Sequence, residues 1–224
     1  MKSFDRVILI DKPAGISSFG VVARVRRELT NEAGQRIKVG HTGTLDPFAT
    51  GLMILLSGKF THRANEFSKL DKVYQATIHL GATSTTGDPE GKITQTKSIL
   101  QGTTLQKVEK TLSKFVGKIT QTPPIYSAIK IDGQRAYKLA RKGETPKIPS
   151  RQVEIYSLEI LDYEYPNLKI RVHCSSGTYI RTLAEDIGKE LGTGAYTTKL
   201  RRTKVGQYDV EAAEKMLESP RPLA

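Results

Sequence analysis

Residues 40–56 read Gly-His-Thr-Gly-Thr-Leu-Asp-Pro-Phe-Ala-Thr-Gly-Leu-Met-Ile-Leu-Leu. The first twelve form a glycine-, threonine- and proline-rich loop. The last five are an apolar run that reads equally as a buried strand or a helix start. Gly40, Gly43 and Gly51 permit tight turns and close backbone approach. Pro47 disfavours the α region for Asp46 and holds it extended. A carboxylate carried this way projects from a fixed backbone, which is how a reacting group is preorganised. Asp before Pro also opens ordinary turns, so composition alone leaves both readings standing. No Gly-Lys-Ser/Thr closes the run, which excludes a nucleotide-triphosphate loop. His41 and Asp46 stand five apart with no second carboxylate nearby, a spacing that does not suit a metal.

Working outward, Val7 to Ile10 is a β-branched run ended by Lys12-Pro13-Ala14-Gly15. Ser17 or Ser18 can cap a helix with Val21, Val22, Val25 and Leu29 on one face. Thr61 to Leu70 reads as a helix, and Val73 to Leu80 alternates as a strand. Thr83 to Thr104 reads as a long loop or flap. Thr104 caps a helix with Leu105, Val108, Leu112, Phe115 and Val116 inward, and Gln134 to Arg141 forms a short basic helix. Gln152 to Tyr163 and Leu168 to Cys174 are paired strands. Ile180, Leu183, Ile187 and Leu191 fall at helical spacing, and Asp209 caps a last helix through Leu217. Strands and helices do not alternate regularly. The expected class is therefore α+β, with a largely antiparallel mixed central sheet flanked by helices and loops.

The chain has 224 residues, enough to bury a sizeable core without staples. Cys174 is its one cysteine, which excludes an internal disulfide and a multi-thiolate zinc site and points to a reducing compartment, the cytoplasm. No apolar run approaches the ~18 residues of a membrane span. Lys and Arg number 35 against 23 Asp and Glu, a net charge of +12. Such a balance favours a polyanion, most often nucleic acid. Between Lys118 and Arg151, eight bases face two acids, with Tyr126 and Tyr137 among them. Bases interleaved with aromatics suit a phosphate track with stacking platforms, or equally a solvated helix face beside a proline-rich loop.

Gly40 to Gly51 closely resembles the catalytic motif of the bacterial tRNA pseudouridine synthase B family. Four further segments resemble that family in the same order. They are Leu9-Ile10-Asp11-Lys12-Pro13-Ala14-Gly15-Ile16-Ser17-Ser18, Asp71-Lys72-Val73-Tyr74, Pro123 to Lys130 with Gly133 to Tyr137, and Ser176-Gly177-Thr178-Tyr179-Ile180-Arg181-Thr182-Leu183. The matches run from Leu9 to about Gly206. The resemblance implies the pseudouridine-synthase fold and conversion of a T-loop uridine of tRNA to pseudouridine.

That reaction needs no electron, phosphate or group donor, so no cofactor and no metal are expected. It needs one carboxylate, which could add to uracil carbon 6, attack the sugar carbon or abstract a ribose proton. By resemblance that carboxylate is Asp46. A free aspartate titrates near ~4, and Arg181 is the cation that opposes the upward drift of burial. Tyr74 is the residue stacked under the uracil, and Leu200 the apolar contact on its other face. His41 fills the gap left by the flipped base, and Asp88 is an acid in the loop after the tyrosine strand. Tyr179, Lys130, Arg141 and Arg202 complete the expected substrate-binding set. The implied partner is the T-arm stem-loop of tRNA, bound by a monomer.

The chain departs from the family in two places. His62 stands where a lysine is usual, with Lys59 and Arg63 as nearby substitutes. Many members continue into a small C-terminal RNA-binding domain of the PUA type. Here a single catalytic domain over 1–224 is expected, without that domain. A same-fold RNA-binding or folding module, a different uridine target and a metal-dependent nuclease are the rival functions at this level.

Overall fold

The computed structural model describes residues 3–96, 103–127, 129–131, 133–141, 143–144 and 146–216, with only the backbone described at 130, 137, 138 and 141. In chain order the elements are β1 (Val7–Lys12), α1 (Ser18–Ala33), β2 (Val39–His41), β3 (Thr50–Ser57), a 3-10 segment (Gly58–Arg63), α2 (Ala64–Ser68), β4 (Lys72–Leu80), β5 (Ala82–Ser84), β6 (Ile93–Gln95) and α3 (Leu105–Ser113). Then follow β7 (Gly117–Gln121), β8 (Lys130–Ile131), β9 (Gln134–Arg135), α4 (Ala136–Arg141), β10 (Arg151–Glu164), β11 (Asn167–Cys174), α5 (Ile180–Leu191), β12 (Ala195–Val205), β13 (Tyr208–Asp209), a 3-10 turn (Val210–Ala212) and β14 (Glu214–Lys215). The chain divides into two compact units, residues 1–72 with 201–224, and residues 73–200.

In the first unit the strand order is β14, β1, β3 and the second half of β12, with β2 also on β3 and β13 on β12. β1 and β3 are antiparallel, Val7 opposite Leu56 and Lys12 opposite Gly51. β3 and β12 are parallel, with Arg202 opposite Gly51. Leu52, Ile54 and Leu56 pack on Phe67, Val205 and Val210, while Met53 and Leu55 are fully buried as well. Burial on both faces explains why this strand reads as an unbroken apolar run. Ser17 caps α1, its hydroxyl accepting from the Gly20 N–H at 3.0 Å, and Val21, Val22, Val25 and Leu29 are the buried stripe.

In the second unit the order is β12, β4, β11, β10, β7. β4 alternates buried and half-buried residues along its whole length. β10 and β11 form a long antiparallel hairpin, and β7 pairs antiparallel with β10. α3 and α5 pack together. The α+β class with a largely antiparallel mixed sheet holds, with β1–β14 and β3–β12 among its parallel pairs.

Four local expectations change. Thr83 to Thr104 is not all loop, because β5 and β6 pair as a small hairpin. Thr61 to Leu70 is a 3-10 segment leading into a single short α-helix. Leu105, the first residue of α3, and Val116, beyond its end, are exposed, because the buried face of α3 is Val108, Thr111 and Leu112. Asp209 caps one 3-10 turn, accepting from the Glu211 N–H at 3.0 Å. The chain then extends as β14 against β1. An available strand edge outcompetes the local helical preference of Glu-Ala-Ala-Glu-Lys, and Leu217 lies outside the described residues.

Candidate active site

Asp46 is half-buried, between buried Leu45 and half-buried Pro47. Its backbone carbonyl accepts from the Ala49 N–H at 3.1 Å, closing a turn. Three devices of the first unit hold its flanks. Ser18 Oγ accepts from the Leu45 N–H and donates to the Leu45 carbonyl, each at 2.8 Å. The Pro47 carbonyl accepts from Gly15 N–H at 2.9 Å and from Lys12 Nζ at 3.1 Å. Lys12 is fully buried, and its ammonium also donates to the carbonyls of Pro13 at 2.9 Å and Ile16 at 2.8 Å. The proline-glycine box after β1 is thus a cradle for the aspartate loop.

Arg202 is the third device. Its buried guanidinium donates from Nε to the Leu52 carbonyl at 2.7 Å, from Nη1 to Thr44 at 3.3 Å and from Nη2 to Gly43 at 3.1 Å. This corrects its expected place in the substrate-binding set, because the N–H groups a phosphate would need are directed at carbonyls inside the fold. Its neighbours are also engaged. Arg201 grips Asp11 through two bonds of 3.0 and 2.8 Å, and Lys204 pairs with Asp209 at 3.2 Å. Gly51 has φ +104°, and a Cβ there would lie 2.3 Å from the Arg202 carbonyl oxygen. Glycine is required for this approach of two backbones. His41, at the end of β2 and half-buried, pairs with Leu55.

The second unit assembles a different group. Arg181 is the second residue of α5, where a cation opposes the helix dipole. Asp88 offsets that cost, with Arg181 Nη1 to Asp88 Oδ2 at 3.2 Å and both side chains 4% exposed. Arg181 also donates to the carbonyls of Thr86 at 2.7 Å and Tyr126 at 2.8 Å. Asp88 accepts from the Thr86 hydroxyl and from the Glu90 N–H at 3.0 Å. The Thr86-Gly87-Asp88 turn is fastened to β12, since Thr197 N–H donates to the Gly87 carbonyl at 3.0 Å. Glu185 lies one turn along α5, and burial pushes its carboxyl above the ordinary range while Arg181 pulls it down.

Tyr74 on β4 and Leu200 on β12 are both buried. Tyr179 precedes α5. Its N–H donates to Gln121 Oε1 at 3.0 Å, and the Arg151 guanidinium lies 4.9 Å from its ring centre. Tyr126, in the proline-rich stretch of the basic segment, is exposed while its carbonyl is held by Arg181. Lys130 lies on β8 and Arg141 ends α4, but both side chains fall outside the described residues. Buried Lys12, Ser18 and the clamp role of Arg202 went unread in sequence. Lys12 and Ser18 fall inside a quoted motif, whereas nothing in the residues around Arg202 marks it.

Comparison with known proteins matches residues 27–180 to the TruB family pseudouridylate synthase N-terminal domain and residues 181–218 to the tRNA pseudouridylate synthase B C-terminal domain. A tRNA pseudouridine synthase B of Phocaeicola vulgatus is 47% identical over 206 residues, 92% of this chain and 87% of that one. One of Bacteroides fragilis is 48% identical over 206 residues, covering 92% and 88%. Among solved structures, a chain of a Cbf5-Nop10-Gar1 complex aligns with a TM-score of 0.71 at 30% identity, over 94% of this chain and 52% of its own length. A chain of an H/ACA RNP bound to a substrate RNA containing 2'-deoxyuridine aligns at 0.67 and 27%, over 93% and 50%. This chain therefore spans about half the length of those two structures' chains.

Proposed function

The chain belongs to the TruB family of pseudouridylate synthases, and on that premise we propose that it converts a uridine in the T loop of tRNA to pseudouridine, with Asp46 as the carboxylate at the reacting centre. The observation that carries the assignment is the way Asp46 is held. Its two neighbours in sequence are hydrogen-bonded to Ser18, Gly15 and Lys12, while Asp46 itself keeps partial solvent access. A fold that commits a fully buried lysine to the carbonyl beside one aspartate is preorganising that aspartate.

In the reaction the bond from ribose carbon 1' to uracil nitrogen 1 breaks. The base turns over, and a bond forms from carbon 1' to carbon 5. Carbon 5 then loses a proton and nitrogen 1 ends protonated, so atoms balance without a donor. Asp46 supplies the one carboxylate that each of the three routes requires. Tyr74 and Leu200 offer apolar surfaces to the uracil, and His41 occupies the space that the base vacates. Arg181 supplies positive charge, with Asp88 and the Tyr126 carbonyl orienting its guanidinium. Turning a base out of a loop costs a few kcal/mol, and stacking returns about 1–3 kcal/mol per base. The excess of 12 positive charges supports a polyanionic substrate, and readout of a folded loop's shape suits RNA.

The test is tritium release from T-loop RNA labelled at uracil carbon 5. Asp46→Asn is expected to abolish release while RNA affinity stays within about 1.4 kcal/mol, a factor of ten. Normal turnover by Asp46→Asn ends the assignment. Equal rates on T-loop and anticodon minihelices end the choice of target.

A further inference from the structure

We propose that Arg202 is a positioning residue for Asp46, whose buried guanidinium ties the entry of the aspartate loop to its exit, so that a full positive charge serves the reaction without touching RNA. The inference rests on the reading of Asp46 above. Arg202 is 2% exposed, a degree of burial arginine almost never reaches unless its donors are satisfied. Here they are satisfied by backbone carbonyls that bracket the aspartate. Gly43 and Thr44 lead into Asp46, and Leu52 follows the loop's exit into β3.

The main chain of Arg202 closes the loop a second time, pairing in parallel with Gly51. The absence of a Cβ at Gly51 is what lets these backbones meet. Between those fixed ends, Leu45 is gripped by Ser18 and Pro47 by Lys12 and Gly15. The two residues flanking Asp46 are thereby held by buried Ser18 and Lys12, and Arg202 spans both ends of the loop. The choice of arginine follows from geometry. A planar fork can address three carbonyls in fixed directions, whereas a lysine offers a point charge on a flexible stem. Adjacent Arg201 and Lys204 pair with the carboxylates of Asp11 and Asp209. The Arg202 bonds instead run to neutral carbonyls, as expected of a brace and not of an ion-pair network.

The test uses Arg202→Lys and Arg202→Gln in the full chain, each assayed well below its own melting midpoint. Single-turnover tritium release is measured at saturating T-loop RNA, together with RNA Kd across a salt series. The expected result is a rate lowered about 10- to 100-fold, since a displacement of about 1 Å at a reacting group has that effect. Kd should change less than threefold with an unaltered salt slope, and Lys should recover part of what Gln loses. A wild-type rate overturns the inference. So does a Kd weakened tenfold or more with a shallower salt slope, which makes Arg202 a phosphate contact. Adding ethylguanidinium to Arg202→Ala is the second measurement. Recovery of rate without a change in Kd supports the brace, and recovery of melting temperature alone overturns it. Asp46→Asn separates the two failures. Turnover by that variant removes the assignment of Asp46, whereas an inactive Asp46→Asn beside fully active Arg202 variants removes only this inference.

Discussion

Replacing Arg181 with methionine keeps the apolar stem and removes the cation from a site where it and Asp88 are each 4% exposed. The bonds to Asp88 Oδ2 and to the carbonyls of Thr86 and Tyr126 are among those lost. Breaking a buried ion pair from one side costs about 3–5 kcal/mol, mostly because the other charge is left uncompensated. Asp88 keeps the Thr86 hydroxyl and the Glu90 N–H, which places the expected loss near the lower end, about 3 kcal/mol. For a chain of this size that is a fall of roughly 6–12 °C in melting midpoint. Asp88→Asn in the same background removes the stranded charge. The double variant should therefore be at least about 1.5 kcal/mol more stable than the sum of the single effects predicts. Thermal and urea unfolding of wild type, both single variants and the double variant give the cycle, with tritium release measured on each. The double variant is expected to regain stability and remain inactive, because the positive charge assigned to catalysis is still missing. Strict additivity would refute the coupling of Arg181 with Asp88, and recovery of turnover would refute the role given to the guanidinium.

Two further outcomes follow from single contacts. Gly51→Ala puts a methyl group 2.3 Å from the Arg202 carbonyl oxygen at φ +104°, so it should destabilise by more than about 3 kcal/mol; a urea midpoint unchanged from wild type would contradict the backbone approach. Glu185 has a carboxyl raised by burial, so its folded state holds a proton that the unfolded chain releases at lower pH. Its contribution to stability is complete below the unfolded value of about 4.3 and is lost as pH rises through the folded value. Glu185→Gln should accordingly melt higher than wild type at pH 8, with the difference closing towards pH 4; a constant difference across that range would argue against the burial.

Legibility in the sequence depended on the kind of order involved. Val21, Val22, Val25 and Leu29 state a helix by spacing alone, and Ser17 states its start. The alternation from Val73 to Leu80 states a strand. Both are local periodicities, so tertiary contacts only ratify them. The failures sit where pairing with another strand decided. Glu214 and Lys215 became a strand because β1 offered an edge some 200 residues away, and Ile93 to Gln95 because Ala82 to Ser84 lay across from them. The site divided along the same line. Asp46, Tyr74 and Arg181 stand inside motifs long enough to recognise. Asp88 drew notice only by resemblance, and its bond to Arg181 spans 93 positions. Arg202 falls in the expected substrate-binding set because a sequence does not tell a surface cation from one turned inward.

From the residues alone came the α+β class, the extended aspartate ahead of a proline, a charge suited to a polyanion and, through ordered motifs, the family. Those properties reside in short stretches of chain, where covalent restriction and side-chain spacing act without outside help. The pairing of Arg181 with Asp88, the burial of Lys12 against Pro47 and the three carbonyls gathered by Arg202 were decided only on folding. Each is a polar group removed from water, and it is stable only when segments far apart in sequence supply the partners that water gave up.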